Sequence, residues 1–116
     1  MQYAILVYQS DDAFAAAKKP DPALHQAFLA YAEAMKKAGV YVFGAGLQAP
    51  ETATTLKFQG DKPVVQDGPY ADTKEQLGGL GIIDVPDLDS ALEWAARMPR
   101  VPGRVYEIRP VPSYDD

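Results

Sequence analysis

The 116-residue chain contains a single histidine, His25. Imidazole is the side chain whose ordinary pKa lies closest to neutrality, so acid–base chemistry at physiological pH falls first to this residue. His25 follows Leu24 in what reads as the first turn of a helix, and one step along a helix is a rotation of about 100°. It therefore sits at the border between a buried stripe and solvent. There it can act as acid, base or acceptor, or it can be an ordinary surface histidine. The densest polar stretch is Asp67-Gly-Pro-Tyr-Ala-Asp-Thr-Lys-Glu75, which gathers carboxylates, a phenol, a hydroxyl and an ammonium. Such a set can form a polar rim over a pocket, with Tyr70, Asp72 and Lys74 meeting a ligand. It can equally be turn chemistry, with Asp67 satisfying turn amides and Lys74 making exposed ion pairs that contribute little. Arg97 and Arg109 are either anion contacts or solvated cations.

Other chemistries find little support. The absence of cysteine excludes disulfides, a catalytic thiol, Fe–S clusters and cysteine-ligated zinc. One histidine and no calcium-loop pattern leave no dedicated metal site to expect, and no cofactor. Ser10, Ser90 and Ser113 lack a Gly-x-Ser-x-Gly elbow. Gly44-x-Gly46 and Gly78-Gly79-x-Gly81 are not phosphate loops; they read as sites of close strand or subunit approach.

The elements that must position these residues follow from periodicity. Residues 2–8 read as a strand, followed by a polar, Ala-rich connection up to Pro20. Asp21-Pro22 starts a helix, because Asp accepts free amides at the N-cap and Pro fits the next position. Leu24, Phe28, Tyr31, Met35 and Ala38, spaced by 4, 3, 4 and 3, form its apolar stripe. Lys36 and Lys37 suit its C-terminus, and Gly39 can take the left-handed position that ends it. Further strands are expected over 40–48, 54–59, 62–66, 77–85 and 105–111. Asp87 caps a second helix with Leu88, Ala91, Leu92, Ala95 and Met98 on one side, stopped by Pro99.

This order implies an α+β fold: a ferredoxin-like split β-α-β sheet with an extra hairpin and two helices on one face. The first strand is apolar on both sides, Tyr3, Ile5 and Val7 against Ala4, Leu6 and Tyr8, so something should cover the second face. A second copy of the chain, in a back-to-back homodimer, is the expected cover. The alternative is a monomer whose loops 9–20 and 68–76 fold over the sheet.

With 47% hydrophobic and 23% charged residues, the chain is a single globular domain over 1–116, residues 112–116 being a short polar tail. Eleven basic and sixteen acidic residues leave a net charge of −5, which disfavours nucleic acid and, more weakly, an anionic membrane surface. No signal peptide or membrane-length apolar run is evident, so a cytoplasmic location is the default expectation.

Asp67–Glu75 together with Gln76-Leu-Gly-Gly79 resembles the DGPF (DGPFAETKE) signature of the YCII-related family. Gly44-Ala-Gly46-Leu-Gln, Thr52-Ala-Thr-Thr55, Asp84-Val-Pro-Asp-Leu-Asp89, Ala91-Leu-Glu-Trp94 and Glu107-Ile-Arg-Pro110 add to the resemblance. Tyr70 and Asp72 depart from the Phe and Glu of the motif. The resemblance implies a bacterial protein with a dimeric α+β barrel. It also implies a His/acid pair in a cleft, with His25 matching the histidine and Asp67 or Asp72 approaching it through space. On that basis the expected function is binding of a small polar or anionic metabolite. His25 would be the acid/base, Asp67 its orienting carboxylate, and Tyr70, Asp72, Lys74, Arg97 and Arg109 ligand contacts. The alternative is a non-catalytic sensing or protein-interaction module linked to transcriptional regulation.

Overall fold

A computed structural model describes residues 1–113, so part of the tail expected at 112–116 lies outside the described residues. The central strand is β1 (Gln2–Gln9), whose side chains alternate between a buried and a half-buried face. Tyr3, Ile5, Val7 and Gln9 point to the buried face. β1 pairs antiparallel with β5 (Gln76–Asp84) on one side and β6 (Arg104–Pro110) on the other. β2 (Tyr41–Gly46) adds to β5, giving the order β2-β5-β1-β6. β3 (Thr54–Gln59) and β4 (Lys62–Asp67) form a separate two-stranded hairpin sheet.

Among the described residues three α-helices accompany these sheets. α1 (Asp11–Ala17) occupies what reads in the sequence as a connection, and Ser10 Oγ caps it by accepting from Ala13 N at 3.2 Å. α2 (Pro22–Lys37) begins where expected: Asp21 Oδ1 accepts from Leu24 N at 3.1 Å. Gly39 follows its end with φ +74°, a conformation that costs a glycine nothing. α3 (Leu88–Ala96) starts on Asp87, which accepts from Ser90 N at 2.8 Å, and ends before the expected stop at Pro99.

The core forms where α2 and α3 lie on the sheet. Tyr31 and Met35 of α2 and Ala91 and Ala95 of α3 pack with Tyr3, Ile5, Ile83 and Val85. Each large side chain buried in this way contributes about 1.5–3 kcal/mol. The Tyr31 hydroxyl ties the two helices by donating to Trp94 O at 2.7 Å, and the two rings meet edge-on at 6.3 Å. Toward its N-terminus α2 makes lighter contact: Phe28 is half-buried and His25 exposed.

The expected fold class, a ferredoxin-like sheet closed into a dimeric α+β barrel, is corrected by this topology. The described residues form a mixed α/β fold with two sheets, and neither is closed. Closure requires the edge strands to find hydrogen-bonding partners. Here β2 and β6 remain edges, and the hairpin strands pair only with each other. The dimeric barrel is thereby overturned, and the premise for it, a second face of β1 left bare, is only partly met. Ala4, Leu6 and Tyr8 are already half-buried beside their cross-strand neighbours Ile82, Leu80 and Leu77. Glu107 and Arg109, paired with Leu6 and Ala4 in register, bring an ion pair at 2.7 Å to the same face.

Candidate functional site

The site grows from a polar residue in an apolar series. Gln9 closes the inward run Tyr3, Ile5, Val7, yet it is only 4% exposed. A buried amide needs partners. Its Oε1 accepts from Arg104 Nε at 2.6 Å, across the register pair that joins β1 to β6. The room for this amide comes from Gly78, where a Cβ would stand 2.7 Å from Gln9 Cδ and Nε2. On its other side the Arg104 guanidinium carbon lies 5.3 Å from the Phe28 ring centroid. An acceptor and an aromatic face thus fix a half-buried cation.

Two clefts meet at Arg104 and Phe28. One, about 740 Å³, runs between the start of α2, the end of α1 and the loop before β6. His25, Lys19, Arg100 and Arg104 line it along with Leu24 and Phe28. Asp21 is its carboxylate, and that group caps α2. The other, about 310 Å³, lies between α2 and the sheet and is lined mainly by apolar groups, among them Ile5, Val7, Phe28, Tyr31 and Met35. Its floor is bare because of register. Ile5 faces Gly81, which faces Gly44, and Val7 faces Gly79, which faces Gly46. Both rows lie on the helix-covered face and carry no side chain beyond β1, so α2 spans a gap.

The polar stretch at 67–75 lies elsewhere. Asp67 ends β4 opposite Thr54 in the hairpin sheet and is not part of the wall that His25 lines. Tyr70 is 79% exposed, with Lys57 Nζ 5.4 Å from its ring centroid. Asp72 and Lys74 are exposed in a loop braced from within. Thr73 Oγ1 donates to Glu75 O at 2.6 Å, and Gln76 Nε2 donates to Ala71 O at 2.7 Å and Thr73 O at 3.1 Å. Thr55 Oγ1 donates to Gly68 O at 2.7 Å, and Gly68 has φ +98°. Arg97 stacks on Trp94 at 4.0 Å at the end of α3, and Arg109 is paired with Glu107. Of the candidate site residues expected from sequence, the basic cleft therefore contains His25 alone. Among the described residues His25 has no carboxylate within ion-pair distance, and no three His, Asp or Glu side chains converge as metal ligands.

Gln9, Arg104, Arg100 and Lys19 were not singled out by sequence. One signal existed: glutamine at the fourth inward position of an otherwise apolar strand.

These features define a small open-sheet α/β protein with a basic cleft at the head of its long helix. The YCII-related domain model matches residues 1–114, and the chain belongs to that family. It is 33% identical over 117 residues to an uncharacterized protein of Rhizobium meliloti (strain 1021), an alignment covering 98% of this chain and 94% of that relative. Among the described residues no helix is long and apolar enough to cross a membrane.

Proposed function

We propose that the protein binds a small anionic metabolite in the cleft at the head of α2, and that His25 exchanges a proton with it. One observation carries this reading: on a chain of net charge −5, Lys19, Arg100 and Arg104 line a single cleft together with the His25 imidazole. Cations gathered against the overall charge of a molecule mark a place where an anion is held. A positioned imidazole can supply about 10²- to 10⁴-fold in general acid–base catalysis. The stretch at 67–75 supports placing the chain in the DGPF subtype.

A screen of small carboxylates and phosphates by thermal melting tests the reading. A ligand at 100 times its Kd stabilises the fold by about 2.7 kcal/mol. His25→Ala is expected to melt as the wild type does without ligand and to lose the ligand-induced shift. A variant that unfolds in the absence of ligand makes His25 structural; one that keeps the full shift removes it from the site. A second reading, a sensing module without catalysis, is favoured by the absence of a carboxylate beside the His25 imidazole among the described residues. Ligand binding with no chemical turnover of the bound acid would select it.

A further inference from the structure

We propose that the ligand is a small carboxylic acid with an apolar body, its carboxylate held end-on by Arg104 and its body lying on the glycine floor of the sheet. This rests on the cleft at the head of α2 being a ligand site, and names the class of molecule it takes. The donor inventory of Arg104 is the first support. Guanidinium presents its N–H groups in a rigid fork, and Nε is already spent on Gln9 at 2.6 Å. The fork of the two terminal nitrogens remains, and its spacing matches the two oxygens of one carboxylate. Among the described residues Arg104 has no carboxylate partner, so a half-buried cation faces an amide and a ring without a counter-charge.

The second support is that this arrangement is built into the sheet. Gln9 is almost fully buried, and only a glycine at 78 leaves its amide the space from which it aims Arg104. The third is the neighbouring cavity. Arg104 lines both the basic cleft and the apolar one of about 310 Å³, whose floor is the paired glycines 44, 46, 79 and 81. A compact inorganic anion gains nothing from an apolar cavity beside its binding group, whereas an apolar body attached to a carboxylate does.

The test titrates 3-phenylpropionate into the full chain and follows backbone amides and the His25 imidazole by NMR. Neutral 3-phenylpropan-1-ol and inorganic phosphate serve as controls. The acid is expected to shift the amides of Gly44, Gly46, Gly79 and Gly81 and to bind at least about tenfold more tightly than the alcohol. Arg104→Met should weaken the acid by about tenfold or more, and Arg104→Lys should restore only part, keeping the charge but not the fork. In Gly46→Val, where a Cβ meets nothing within 4 Å, the cleft is filled with Arg104 intact and the acid's shifts disappear. Equal affinity for acid and alcohol, or an Arg104→Met protein that binds the acid unchanged, overturns the carboxylate anchor. Phosphate binding more tightly than the acid, with shifts confined to His25, Lys19 and Arg100, overturns the ligand class while leaving an anion site. Silence from all three compounds at both clefts overturns this proposal; the reading beneath it falls only if the wider screen of carboxylates and phosphates is silent too.

Discussion

At the scale of single residues, burial and pairing decide which polar groups matter. Tyr31 is the clearest structural case: burial pushes its phenol up to about 12, against a lowering pull from Arg97 and a further push from Tyr106. The folded chain then holds the phenolic proton more tightly than the unfolded chain, where it titrates near 10. Linkage gives the sign: the contribution is complete below pH 10 and is lost as pH rises toward about 12. Tyr31→Phe is expected to cost about 0.5–1.5 kcal/mol near neutral pH by removing the hydrogen bond to Trp94 O. It should also flatten the loss of stability across that alkaline window. Urea unfolding at neutral and alkaline pH measures both effects, and an unchanged alkaline slope in the variant would falsify the assignment. Asp87 works in the opposite direction, its carboxyl held below its ordinary value by the Ser90 amide it caps. That cap was legible in the sequence, as was Asp21, because capping is local. Gln9–Arg104 was not, because ninety-odd residues separate the partners and only the sheet register joins them.

At the scale of elements, the cleft exists because of what the strands lack. Five glycines in β2 and β5 stand out in the sequence, where they read as places of close approach. The alignment of four of them, 44 with 81 and 46 with 79, into two bare rows needs the β2–β5 register, which no local pattern encodes. Helix α1 escaped for another reason: at seven residues it is too short to show a periodic stripe, though Ser10 is a good N-cap. Its anchor is testable. Gly103 has φ +85°, accepts at its carbonyl from Ser10 N at 2.9 Å, and has no room for a Cβ beside Ser10 Oγ. Gly103→Ala is expected to destabilise the fold by more than about 1 kcal/mol, from the backbone strain and the clash together. Ser10→Ala, which removes the cap but not the turn, should cost about 1 kcal/mol. Denaturant midpoints decide; an alanine tolerated at 103 would mean the turn is not held as described.

At the scale of the whole molecule, two helices lie on an open four-stranded sheet, the hairpin forms a sheet of its own, and a basic cleft opens on an acidic chain. The strands and the two helices capped by Asp21 and Asp87 were readable from alternation and caps. The open sheet was not to be read from the strands, since closure depends on which edges meet and not on how apolar each strand is. The charge contrast yields its own prediction. Anion binding at the cleft should weaken as ionic strength rises, because Lys19 and Arg100 are exposed and screened by salt. Titrations at two salt concentrations check this, and salt-independent affinity would mean the cations play no part. The most direct test of the ligand site uses the lone imidazole, which gives one unambiguous set of ring resonances. Recorded from pH 5 to 9 with and without a pool of small carboxylic acids, those resonances are expected to move when the pool is added and to stay put in Arg104→Met. Ring signals indifferent to every acid in the pool would contradict a ligand site at the head of α2.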